Sequence, residues 1–203
     1  MKNSLKNNLS EEDQYFLNGI HVGDKAVFDK MFVNYYSGLC NFVSRIIKAD
    51  DVYEDLVQDL FVKIWLGRKK WEPHTSIKSY LYKAARNQAI NYLKRYDVVN
   101  FSSGEELEDE ISDNINLEEE LYHKDLSEAV QNAINSLPDR CRLVFTMHRQ
   151  EGLKYSEIAD ILNISINAVE KQMGRAFRIM RKLLTNFLPA LGLLGYIKHL
   201  VKF

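Results

Sequence analysis

The sequence predicts an all-α protein built as two small helical domains, and three observations lead there. Apolar residues recur three or four apart through most of the 203 residues. Only three prolines (Pro73, Pro138, Pro189) and nine glycines interrupt them, far too few for a β-sandwich that turns every ten residues or so. An acidic block then divides the chain. Between Asp97 and Glu128 stand twelve acids and one base, Lys124, leaving 26 bases against 16 acids in the flanks. The formal charge of −1 therefore hides two basic bodies suited to a polyanion.

Each element follows from local signals. Ser10 caps a short helix to about Ile20, and Asp24 caps a longer one to about Ile47. In the second, Val27, Met31, Tyr35, Leu39 and Phe42 form one apolar stripe. Asp50 or Asp51 opens a third helix, with Leu56, Leu60 and Ile64 as its stripe and Gly67 at its end. After a loop with Arg68, Lys69, Lys70, Trp71 and Pro73, Thr75 or Ser76 caps a helix to about Tyr96. These four helices make the first domain, residues 10–97. Residues 98–116 read as an acidic linker. The second domain, 117–184, runs from near Leu117 through Ser136, restarts at Asp139 after Pro138, turns at Glu151-Gly152, and ends in helices Tyr155–Leu162 and Ile166–Leu184. Residues 185–203 form an apolar tail.

Several classes are excluded. Two cysteines, Cys40 and Cys141, cannot make a disulfide framework or a four-ligand zinc site, and read as reduced, buried thiols. The polar stretch Met1–Asn8 has no apolar signal region, and the uncharged run Leu183–Ile197 is short for a membrane span. A cytoplasmic protein is expected. There is no phosphate-binding loop, dinucleotide fingerprint or HExxH, and the five histidines lack ligand spacing. No enzyme, cofactor or metal is expected.

Three segments carry chemistry. In YSEIADILNISINAVEKQM (Tyr155–Met173), Ala159 lets two helices approach and Asn163 tolerates a left-handed turn. Ile158, Leu162, Ile164 and Val169 lock the pair. Asn167, Glu170, Lys171, Gln172, Arg175 and Arg178 then form an outer face able to read bases or hold phosphates. Gly174 weakens this helix by about 1 kcal/mol relative to alanine, and a close backbone approach is one reason to keep it. In YLYKAARNQAINYLKRY (Tyr80–Tyr96), Lys83, Arg86, Asn87, Lys94 and Arg95 alternate with tyrosines, and Trp71 precedes them. Bases can hold phosphates there while rings stack on unpaired nucleotides. In DLVQDLFVKIW (Asp55–Trp65), Asp55, Gln58 and Asp59 share a face with Val62, and Trp65 lies at its edge. Polar residues beside exposed apolar ones suit a protein partner.

In this order the three segments resemble the extracytoplasmic-function (ECF) group of the sigma-70 family of bacterial RNA polymerase sigma factors, from about Asp24 to Leu184. The resemblance implies that DLVQDLFVKIW is the core-polymerase-binding helix, which grips the β′ clamp helices. It implies that YLYKAARNQAINYLKR melts and reads the minus-ten element. The stretch Ser136–Leu184 would be region four, which reads the minus-thirty-five element and meets the β flap. The acidic linker would lie in the polymerase cleft, and an anti-sigma factor at the membrane is a further candidate partner. Glu170 and Gln172 stand where many members are basic or hydroxylated. A helix-turn-helix regulator acting without polymerase is the alternative, and it has no use for the first domain. The tail is expected to pack on the second domain, with a partner or a membrane surface as its other uses.

Overall fold

In the computed structural model, residues 9–47, 52–95 and 126–185 are described, and among them there are eight α-helices and no strand. The linker expected at 98–116, the helix start near Leu117 and the tail beyond Thr185 lie outside the described residues. The first unit holds α1 (Glu11–Val22), α2 (Lys25–Ser44), α3 (Val52–Gly67) and α4 (Ile77–Arg95), with a 3-10 turn at Arg68–Lys70. The second holds α5 (Leu126–Asn135), α6 (Asp139–Arg149), α7 (Tyr155–Leu162) and α8 (Ile166–Leu184).

The caps read from the sequence are present. Ser10 Oγ accepts from Asp13 N at 3.0 Å, and Asp13 in turn accepts from Ser10, closing a capping box. Gly23 ends α1 at φ 81°, a left-handed geometry that glycine adopts without a Cβ penalty. Asp24 Oδ1 then accepts from Ala26 N and Val27 N. Ser76 Oγ accepts from Ser79 N at the start of α4. That helix also has a distant cap: Asp13 Oδ1 accepts from Ile77 N at 3.0 Å, across 64 residues. One buried carboxylate thus fixes the starts of both α1 and α4.

The α2 stripe is buried as expected. On α3 the stripe shifts: Val57, Leu60, Phe61 and Ile64 are buried, whereas Leu56 is only half-buried. The helix is apolar almost all round, so its neighbours choose the inner face. Phe61 meets Phe28 and Phe32 of α2 edge-on, at 6.1 and 4.9 Å between ring centres. In the second unit, Val169, Met173, Ala176 and Met180 turn α8 inward, and Phe177 meets Phe145 edge-on.

The buried residues of both units form one continuous cluster, because α4 packs directly on α7. No helix among the described residues is long and apolar enough to cross a membrane.

Candidate polymerase and promoter interfaces

On α3, Asp55, Gln58, Asp59 and Val62 are exposed, as their spacing requires. Gln58 Nε2 donates to Tyr36 OH at 3.3 Å, tying the face to α2. Trp65 is half-buried against Phe28, 4.8 Å between ring centres, and the Arg68 guanidinium lies 4.7 Å above its ring. Two exposed residues were not singled out from the sequence. Leu66 is 75% exposed and Val33 of α2 is 75% exposed. Leu66 follows Val62 by four positions, which is the signal that finds it. An acidic rim beside exposed aliphatic side chains is the composition of a protein-docking face.

On α4, Asn87, Lys94 and Arg95 are exposed. Arg86 is half-buried, and that burial holds its guanidinium below its usual range. Lys63 Nζ donates to Gln88 Oε1 at 3.1 Å, bracing α3 on α4. Below that bond, Asp59, Asn91, Tyr92 and Arg95 line a shallow polar cleft between the two helices. Lys83 is already occupied: both Asp160 carboxylate oxygens lie 2.8 Å from its Nζ.

Trp71 requires correction. Its ring is 6% exposed, edge-on to Tyr80, while its carbonyl accepts from His21 Nε2 at 2.7 Å. The neighbouring lysines suggested a DNA-facing ring, but burying indole area under α1 outweighs that local charge. Trp71 is a core residue.

The helix-turn-helix is built as its sequence requires. Asn163 sits at φ 56°, ψ 48°, the single non-glycine residue with positive φ among the described residues. Ile158 and Ala159 are buried on α7, facing Val169 of α8. Ser165 caps α8, accepting from Ala168 N at 3.1 Å. Asn167, Glu170, Lys171 and Arg178 are exposed, and Arg175 is half-buried. Gln172 is also corrected: it is half-buried, and its Oε1 accepts from the buried Cys141 Sγ at 2.9 Å. Its amide is engaged with α6 instead of reaching outward.

Gly174 has open space where a Cβ would stand, so no close approach within the chain explains it. Gly174→Ala is expected to stabilise the second unit by about 1 kcal/mol through helix propensity alone. Thermal unfolding checks this; no gain in midpoint would refute it.

Among the described residues no group of histidine, cysteine and carboxylate side chains could hold a metal ion. The arrangement defines a two-unit DNA-binding protein of the helix-turn-helix class that also carries an exposed acidic and aliphatic face on α3. Comparison with known proteins agrees. Residues 31–98 match Sigma-70 region 2, and residues 127–180 match Sigma-70, region 4. The ECF RNA polymerase sigma-E factor of Escherichia coli strain K12 is 30% identical, over 83% of this chain and 93% of its own length. That of Haemophilus influenzae is 26% identical, over 81% and 90%. Among solved structures, CnrH in complex with the cytosolic domain of CnrY shares the fold (TM-score 0.52, 18% identity, 87% of this chain and 99% of that one). So does sigma factor RpoE in complex with the anti-sigma factor NepR from Bartonella quintana (TM-score 0.50, 21% identity, 78% and 96%).

The chain belongs to the ECF group of the sigma-70 family. It is a sigma factor, binding core RNA polymerase and directing it to promoters to initiate transcription.

Proposed function

We propose that each of the three surfaces takes one part of that task. The α3 face of Asp55, Gln58, Asp59 and Val62, with Trp65 and Leu66, meets the β′ clamp helices. On α4, Lys83, Arg86, Lys94 and Arg95 hold phosphates of the minus-ten element and Asn87 reads a base, since an amide donates and accepts at once. On α8, Asn167, Glu170 and Lys171 face the minus-thirty-five element while Arg175 and Arg178 grip its backbone, with the second unit at the β flap. Residues 10–97 and 117–184 are the two working domains, and 98–116 is an acidic tether that enters the polymerase cleft. The protein works in the cytoplasm without chemistry of its own, and a membrane-bound anti-sigma factor is a fitting antagonist, given the anti-sigma complexes among its structural neighbours.

The observation that carries the reading is the α3 face, where acids and aliphatic side chains stand exposed over a firmly packed aromatic base. A DNA-binding regulator working alone gains nothing from it. Asp55→Lys with Asp59→Lys is expected to weaken core-polymerase binding at least tenfold, about 1.4 kcal/mol, with helical content unchanged. Titration of labelled protein with core enzyme measures it. Unchanged affinity would remove α3 from the polymerase interface.

A further inference from the structure

We propose that Glu170 selects a cytosine in the minus-thirty-five element by accepting from the 4-amino group of that base in the major groove. Gly174 gives α8 the clearance to carry so short a side chain there. This deepens the assignment of α8 to that element and rests on it. The starting observation is an acid among cations. Between Ile166 and Leu184 the helix carries five cationic side chains (Lys171, Arg175, Arg178, Arg181, Lys182) and one acid, Glu170. A carboxylate on a surface that approaches phosphates costs affinity for every DNA sequence. Its use must then lie in a bond that a cation cannot make.

Glu170 is the fifth residue of α8, in the half of the recognition helix that meets base edges when this motif docks. Val169, Met173, Ala176 and Met180 take the inner face, while Glu170 is exposed with Asn167, Lys171, Gly174 and Arg178. Among the described residues no hydrogen bond or ion pair engages its carboxylate. Burial holds the Tyr155 hydroxyl above its usual range, opposed by Arg149 and aided by Glu170, which places the acid near the first turn of α7. Arg149 does not claim the acid: its guanidinium lies over the Phe177 ring, 5.4 Å from the centre.

An ionised carboxylate only accepts. Guanine and thymine turn acceptors to the major groove, adenine an amino group beside the acceptor N7, and cytosine an amino group alone. A carboxylate therefore bonds the cytosine edge without meeting a lone pair, and is repelled at guanine and thymine. The acid discriminates twice, by the bond to the right base and by uncompensated charge against the wrong ones.

Gly174 lies one turn beyond, four residues from Glu170 and four from Arg178, so the three positions follow one another along the outer face. Its backbone is ordinary helix, without the positive φ of Gly23 and Gly152, and no atom lies within 4 Å of where a Cβ would stand. Neither a turn nor packing inside the chain accounts for it, although glycine lowers helix stability relative to alanine. A bare position in the middle of the outer face lets the helix lie closer to the groove floor. A glutamate, shorter than the lysine and arginines around it, needs that depth to reach a base.

The test uses holoenzyme, made from the full-length chain and core polymerase, to select from promoter fragments with a randomised minus-thirty-five segment. Wild type should fix one position as cytosine, by at least about tenfold over each other base. Glu170→Ala should make that position indifferent and leave the others as they were, while binding to duplex without a promoter strengthens. Glu170→Gln should move the same position toward adenine, whose N6 and N7 match an amide. Gly174→Leu installs a strong helix former, so its thermal midpoint should not fall, yet cytosine preference should vanish and affinity drop about tenfold. If wild type fixes no cytosine, or Glu170→Ala keeps the preference, the inference is overturned. A Gly174→Leu holoenzyme that still selects cytosine at wild-type affinity would overturn the clearance. Arg178→Ala separates these results from the assignment beneath them. It should weaken all sequences alike, and a silent Glu170→Ala beside it would remove the cytosine contact alone. If both variants leave selection and affinity untouched, α8 does not meet the minus-thirty-five element.

Discussion

Phe61→Ala should lower the stability of the first unit by about 3–5 kcal/mol, the usual cost of emptying a buried aromatic site. The ring is 2% exposed and sits between Phe28 and Phe32, so its loss leaves a hole that two edge-on contacts lined. Those same α2 rings support Trp65 and Tyr36, which stack and bond at the margin of the α3 face proposed to meet polymerase. Denaturant unfolding should show the loss, and core-polymerase affinity should fall with it. Phe61→Leu keeps most of the volume and should recover much of both. If Phe61→Ala unfolds at the wild-type midpoint, the aromatic base does not support the α3 face.

The second large effect is expected at Asp13. Its carboxylate is 7% exposed and accepts from Ile77 N, a backbone donor buried at the start of α4. Asp13→Ala strands that donor and opens the capping box with Ser10, a combined cost of about 2–4 kcal/mol. Asp13→Asn retains an acceptor oxygen and should lose about half as much. Hydrogen exchange at the first turn of α4 is the direct readout: protection should drop in the alanine variant and persist in the asparagine one. Equal protection in both would mean that Ser76 alone suffices to start α4.

Much of this architecture is legible locally. Ser10, Asp24 and Ser76 cap helices because a short side-chain oxygen before an apolar repeat has few other uses. Asn163 marks the helix-turn-helix because few residues besides glycine accept its backbone geometry. The errors share one cause. At Leu56 and Val57 the helix offers apolar residues on nearly every side, so periodicity alone cannot say which turn inward. Trp71 looked DNA-facing because its sequence neighbours are basic, yet His21 and Tyr80 bury it from elsewhere in the chain. Gln172 lies in register with a polar face but bonds to Cys141, 31 residues away. The Asp13–Ile77 and Lys83–Asp160 contacts span 64 and 77 residues, and neither partner carries a local mark of the other.

The pairing of Lys83 with Asp160 also bears on where the protein spends its time in a cell. Two flanks together carrying about ten excess positive charges would be drawn to any stretch of chromosome. A genome offers about a million or more such non-specific positions. On the assignment proposed for α4, a Lys83 paired with Asp160 makes one fewer counterion-releasing contact in each such encounter, which flattens the salt dependence of stray binding.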